Sequence, residues 1–137
     1  MNTEDFCTYE QALALKKLGF RENCLYHYNI LNEFVPNNFN AEDETVTVDN
    51  LYDSLNTNTL SDIVCDVPTL AQVQKWFRVR HEQSIEPKYD SYQWWCCMTD
   101  VSTSEWYDLD ESYYYYEEAL SAGITECLKL FRKIEDD

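Results

Sequence analysis

Cysteine and histidine are the residues of this chain best suited to ligate a metal or to act as a nucleophile and its base. The spacing Cys24-x-x-His27 is typical of one half of a metal site, but no second ligand pair follows at comparable spacing, and Cys65 and His81 are isolated. A nucleophilic Cys–His pair stays open as an alternative, because its members need only meet in space. We predict no catalytic residue, no metal site and no cofactor.

The six cysteines of the chain are expected to be reduced thiols. A cytosolic chain of this size with an apolar core does not need the three disulfides that six cysteines could form. Cys96 and Cys97 are adjacent in a predicted strand, so their side chains point to opposite faces, and one is expected to be buried while the other is exposed. A redox-active vicinal pair is the alternative interpretation of these two thiols.

A dense group of carboxylates surrounds the predicted strand Glu105–Leu109. Paired carboxylates can cleave glycosides or bind a divalent cation, but only when they converge in a pocket. The calcium-loop pattern with its central glycine is missing here. A small enzyme, or a ligand or cation binder, that uses the acidic loops between residues 100 and 111 is therefore an alternative function. The group consists of Asp100, Glu105, Asp108, Asp110 and Glu111.

Tryptophan and tyrosine are concentrated between residues 92 and 116. Because successive side chains of a strand point to opposite faces, some of these rings must lie near the surface. Exposed Trp and Tyr side chains dominate protein–protein interfaces. We therefore predict an interaction surface of rings rimmed by carboxylates. Its candidate residues are Trp94, Trp95, Trp106, Tyr107, Tyr113, Tyr114, Asp108, Asp110 and Glu111.

The sequence contains start, stop and periodicity signals that predict three helices. Thr8 and Thr69 each have a glutamine three positions later, the capping-box pattern, which predicts helices over residues 9–18 and 69–81. Gly19 stands where a helix ends in a left-handed residue. The third helix is expected over residues 116–134, where apolar side chains recur at helical spacing. Gly123 lies on that apolar stripe and predicts a close approach of the helix to a sheet.

Alternating β-rich segments predict an α+β fold with helices packed on a small antiparallel sheet. In residues 1–62 we expect an α-β-β subdomain with strands at Cys24–Ile30 and Thr45–Val48, a turn at residues 36–38 and a polar loop at 56–62. In residues 63–137 we expect an α-β-β-β-α subdomain with both helices on the same face of its sheet. The two are expected to form one compact unit. The strands of the second subdomain are Gln83–Lys88, Tyr92–Thr99 and Glu105–Leu109.

The net charge of −16 excludes whole classes of partner. Residues 1–68 hold 12 acids and 3 bases, and residues 69–137 hold 14 acids and 7 bases, so the excess is spread along the chain. Such a field repels phosphate backbones, and we expect no nucleic-acid partner. The polar, acidic start Met1–Asp5 is unlike a signal peptide, and no apolar run approaches the roughly 20 residues that span a bilayer. We therefore expect a cytoplasmic protein with no membrane partner.

Three blocks of the sequence carry a resemblance: YEQALALKKLGF at Tyr9–Phe20, PTLAQVQKWF at Pro68–Phe77 and YEEALSAGITECL at Tyr116–Leu128. In these blocks the chain resembles small proteins encoded in gut Bacteroidales genomes and in their phages and prophages, over nearly its whole length. The resemblance implies a bacterial or phage setting but brings no activity with it. Residues 68–137 are also similar in layout to phage-associated α-β-β-β-α sandwich domains.

These observations favour a non-enzymatic acidic interaction protein, an accessory or host-modulating factor of a phage or mobile element. Its partner is expected to be a protein that is either basic or presents an apolar groove. In one variant of this hypothesis, surface carboxylates mimic the phosphates of nucleic acid. The alternatives are the enzyme or cation binder described above and a virion-associated structural component.

Overall fold

A computed structural model describes residues 3–37 and 63–135, with side chains over 4–37 and 63–132. These residues form an α+β fold, as predicted, with two antiparallel three-stranded sheets. The chain divides into two compact units, residues 8–68 and residues 1–7 together with 69–137. The predicted strand Thr45–Val48 and the predicted polar loop at 56–62 lie outside the described residues.

The unit 8–68 packs one helix against the third strand of a sheet whose order is β2-β1-β3. The helix begins at the predicted capping box: the Thr8 hydroxyl accepts a hydrogen bond from the backbone N–H of Gln11, and the Gln11 side chain accepts one from the N–H of Thr8. Gly19 adopts the left-handed conformation just after the helix, with a φ of 94°. The elements are α1 (Tyr9–Lys17), β1 (Tyr26–Asn29), β2 (Phe34–Pro36) and β3 (Ile63–Val67).

Two strands of this sheet were not predicted. Strand β2 ends at Pro36, where a turn was expected, and β3 lies in a segment without a clear pattern. Strand β2 has only three residues, and the sequence of β3, Ile-Val-Cys-Asp-Val, does not alternate between apolar and polar residues. A side chain closes the β1–β2 turn: the side-chain oxygen Oδ1 of Asn29 accepts hydrogen bonds from the backbone N–H groups of Leu31 and Glu33.

The unit of residues 1–7 and 69–137 contains the predicted α-β-β-β-α arrangement. Its first helix starts at the predicted capping box of Thr69 and Gln72. Its two helices contact each other and both contact the first strand of the sheet, which places them on one face, as expected. The elements are α2 (Leu70–Arg80), β4 (Gln83–Asp90), β5 (Gln93–Asp100), β6 (Glu105–Asp108) and α3 (Tyr116–Glu135), with sheet order β4-β5-β6.

The core of this unit lies between α3 and the sheet. A Cβ atom added at Gly123 would lie 2.5 Å from Ile85 Cγ2 and closer still to Cys96 Sγ, which confirms the predicted close approach. Ile85, Cys96 and Met98 are nearly fully buried, as is Ile124 of the helix. These contacts fix the orientation of the sheet: even-numbered residues of β5 face the helices, and odd-numbered residues face away.

Candidate interaction surface

The face of the second sheet opposite α2 and α3 is called here the open face. Because Cys96 points toward the helices, Trp95 and Cys97 point away from them. The strand register adds neighbours from both sides, so that Cys97 lies between Glu86 and Asp108. The open face is formed by Ser84, Glu86, Lys88, Asp90, Gln93, Trp95, Cys97, Thr99, Trp106 and Asp108.

The two tryptophans of the open face lie on opposite sides of the row that contains Cys97. Trp106 is the cross-strand partner of Thr99, which is four residues beyond Trp95 on β5. At about 3.4 Å per residue, the two ring positions are separated by roughly 13 Å along the strands. Trp106 is 65% exposed, and Trp95 is partly exposed. Glu86, Cys97 and Asp108 form a row across the sheet, and this row lies between the two tryptophans.

The expectation that one of the vicinal cysteines is exposed was wrong, since both Cys96 and Cys97 are buried. Cys97 lies on the open face, but it occupies the central strand and is flanked on both sides by the longer side chains of Glu86 and Asp108. Burial raises the pKa of the Cys97 thiol, and its hydrogen bond to Asp108 raises the pKa further. Burial and the neighbouring Cys97 raise the pKa of Cys96 to about 12. A reactive redox cysteine requires the opposite shift.

The remaining candidate rings do not belong to the open face. Trp94 faces the helices, where its ring packs edge-on against Tyr116 at 5.2 Å and its backbone bridges Tyr113. Tyr107 is also on the helix side of the sheet and is 44% exposed. Tyr114, in the segment before α3, is 77% exposed. The predicted ring cluster is therefore divided between two sides of the sheet and one exposed segment.

The carboxylates around β6 do not converge on a pocket. Asp100 and Glu105 are cross-strand partners on the helix side, whereas Asp108 lies on the open face. The Ser102 hydroxyl donates a 2.6 Å hydrogen bond to Asp100 and holds the pKa of that carboxyl below its usual value. Residues 110–111 are exposed and follow the strand. The five carboxylates are therefore divided between the two faces of the sheet and an exposed segment, whereas glycoside cleavage or cation binding requires carboxylates that converge in one pocket.

In the first unit, hydrogen bonds to Asn37 hold the segment that contains Cys24 and His27. The amide of Asn37 donates to the carbonyl oxygens of Cys24 at 2.8 Å and Tyr26 at 3.3 Å, so its oxygen accepts from the Nδ1–H of buried His27. These bonds tie β1 to the end of β2. Burial, and then the charge of Asp66, raise the pKa of the Cys24 thiol to about 12. A nucleophilic cysteine needs a lowered pKa, so this pair does not form an activated nucleophile.

The second histidine, His81, packs among aromatic rings. Its ring centroid lies 4.8 Å from that of Trp76 and 4.6 Å from that of Phe131. Across residues 3–37 and 63–135, no group of three or more His, Cys, Asp or Glu side chains is arranged to hold a metal ion.

A cavity of about 260 Å³ lies in the unit 8–68, between the end of α1 and β3. Its lining includes the cationic Lys16 and Arg21 and the anionic Glu22 and Asp66. The Lys16 ammonium already donates a 2.7 Å hydrogen bond to the carbonyl oxygen of Val64. Charges of both signs in one small space favour no single class of ligand.

Comparison with family models, with curated proteins and with solved structures found no match to this chain. The helices of the described part are all too short or too polar to cross a bilayer. Any function assigned to the chain therefore depends on the geometry of the described residues and on the sequence itself.

Proposed function

We propose that this chain is a non-enzymatic, acidic interaction protein that binds a basic partner protein through the open face. The observation that supports this most strongly is Trp106, a large aromatic side chain that is 65% exposed on a sheet face that neither α2 nor α3 covers. Large exposed rings of this kind act as interface anchors, because they bury much apolar area at a small cost in side-chain entropy.

The charges around Trp106 favour a basic partner over an apolar one. Carboxylates of Glu86 and Asp108 lie in the row between the two tryptophans, with Lys88 beside it. A lysine or arginine of the partner can pair with a carboxylate and also lie over an indole face, which attracts cations. The net charge of −16 adds long-range attraction for a basic surface.

The resemblance to proteins of gut Bacteroidales and their phages and prophages supports a role as an accessory or host-modulating factor. We place its action in the cytoplasm of the bacterial cell. All six cysteines are free thiols, which is typical of proteins in a reducing compartment.

The test is capture of a partner from a lysate of the bacterial cell, with the wild-type chain and two variants compared. Trp106→Ala removes the anchor of the open face, whereas Tyr114→Ala removes a ring away from it that is even more exposed, 77% against 65%. We expect a basic protein to be retained by the wild type and by Tyr114→Ala and to be lost with Trp106→Ala. A captured protein that both variants hold equally well, or that both lose, would show that the open face is not the binding surface.

A further inference from the structure

The two edges of the second sheet differ in whether they can accept another strand. Leu109 donates its backbone N–H to the carbonyl oxygen of Cys96, so the backbone groups of Cys96 face β6. Pro87 on β4 is the cross-strand partner of Cys96. In an antiparallel sheet, the backbone groups of Pro87 must then point away from β5, and so must those of Ile85 two residues earlier. Pro87 has no N–H to offer, and the Ile85 carbonyl already accepts a 2.6 Å hydrogen bond from Gln74. The β4 edge is therefore closed to pairing.

The β6 edge is open by the same geometry. Because the backbone groups of Cys97 face β4, its partner Asp108 turns its N–H and C=O outward, and Trp106 does so two residues earlier. All four residues of β6 are exposed. Within the described chain, no backbone hydrogen bond reaches these outward groups. An uncovered edge of this kind is a template for strand addition.

We propose that an extended, lysine- or arginine-rich segment of the partner adds to the outer edge of β6 as a fourth strand; this inference rests on the function proposed above. Strand addition is an established mode of peptide recognition, in which backbone hydrogen bonds supply affinity and alternating side chains supply specificity. In the four-residue strand β6, the backbone N–H and C=O groups of two residues, Trp106 and Asp108, point outward and can bond to an added strand.

The side chains of β6 explain why a basic segment fits. On the open face, an added strand would meet Trp106 and Asp108, and on the helix side it would meet Glu105 and Tyr107. Each side of the edge therefore presents one ring and one carboxylate. Opposite charges on neighbouring strands stabilise their pairing.

A second copy of this chain does not meet these requirements. Pairing β6 with the β6 of a second copy would bring together two edges that both carry the carboxylates of Glu105 and Asp108, and each copy carries a net charge of −16. Like charges on neighbouring strands destabilise their pairing. The occupant is therefore a strand of opposite charge from a different protein.

The first test measures amide hydrogen exchange in the full-length, ¹⁵N-labelled chain. The probe is a synthetic peptide that alternates lysine and valine, and the control is its glutamate–valine counterpart. We expect the lysine peptide to slow exchange of the Trp106 and Asp108 amides by about tenfold or more, because both N–H groups become hydrogen-bonded. The Tyr107 amide, which faces β5, should change little, and the glutamate peptide should have no effect.

A pair of substitutions isolates the outward N–H. Asp108→Pro removes the carboxylate, its bond to Cys97 and the backbone N–H, whereas Asp108→Ala removes the first two and keeps the third. We expect the proline variant to bind the lysine peptide at least about tenfold more weakly than the alanine variant, the loss expected for about 1.4 kcal/mol. The exchange measurement on the wild type does not depend on either variant folding.

The outcomes separate the two proposals. If the lysine peptide shifts the indole signals of Trp95 and Trp106 but leaves the outward amides unprotected, strand addition is wrong and binding at the open face stands. If those amides are protected while both indole signals stay unchanged, strand addition stands and the open-face function is wrong. A peptide that leaves the Trp106 and Asp108 amides unprotected and shifts no signal also overturns strand addition.

Discussion

At the scale of single residues, Gly123 allows α3 to approach the sheet closely, since an added Cβ atom would clash with Ile85 and Cys96. Ile124 beside it is fully buried, so Ile124→Ala should lower the free energy of unfolding by about 2–5 kcal/mol, through lost burial and the cavity left behind. Urea denaturation measures this directly. The matched control is Leu130→Ala on the same helix, where the side chain is 38% exposed and the loss should stay below about 1 kcal/mol. Equal losses in the two variants would contradict the assigned core.

The buried thiols make stability depend on pH. Burial, and then the neighbouring Cys96, raise the pKa of Cys127 from its ordinary value of 9.0 to about 12. Between these values the unfolded chain releases a proton that the folded chain retains, so the free energy of unfolding falls as the pH rises from about 9 toward 12. This contribution is fully present below pH 9 and is lost as the pH passes through the folded pKa.

The measurement is the urea midpoint at about pH 8 and at about pH 11, for the wild type and for Cys127→Ala. The other titrating groups are common to both chains, so the difference between their pH dependences isolates this thiol. We expect a smaller decrease in the alanine variant. Parallel decreases in the two chains would mean that Cys127 ionises as easily folded as unfolded.

At the scale of elements, local signals predicted the helices well. Both capping boxes are formed by the threonine and glutamine pairs that the sequence shows, since the two bonds of a box join residues only three positions apart. The strands β4, β5 and β6 were also found, because short polar turns separate them clearly. Strands β2 and β3 were missed because their pairing with β1 depends on tertiary contacts, such as the amide of Asn37 and the Lys16 bond to Val64.

The candidate surface was predicted in composition but not in arrangement. The sequence pointed to the rings and carboxylates of β5 and β6, yet it grouped Trp94 with Trp95, which lie on opposite faces. Deciding which ring faces solvent requires the position of α3, and no local pattern contains that information. The same holds for Cys97, whose burial depends on neighbours from two other strands.

At the scale of the whole molecule, the proposal of a basic protein partner depends on the net charge of −16. Counterion release requires clustered cations on the protein, and only 10 basic residues are present along the chain. We therefore expect no electrophoretic shift of duplex DNA, duplex RNA or single strands at about 150 mM salt. Tight binding of any of these would contradict the assignment of a basic protein partner.

The tryptophans test the central claim most directly, because the four of them sample different parts of the second unit. Trp76 is buried and Trp94 faces the helices, whereas Trp95 and Trp106 lie on the open face. The measurement is the ¹H–¹⁵N spectrum of the four indole N–H groups as the captured basic protein is added to the labelled chain. We expect the Trp95 and Trp106 signals to shift, while those of Trp76 and Trp94 stay in place. Shifts of Trp76 and Trp94 with Trp95 and Trp106 unchanged would show that the partner binds elsewhere.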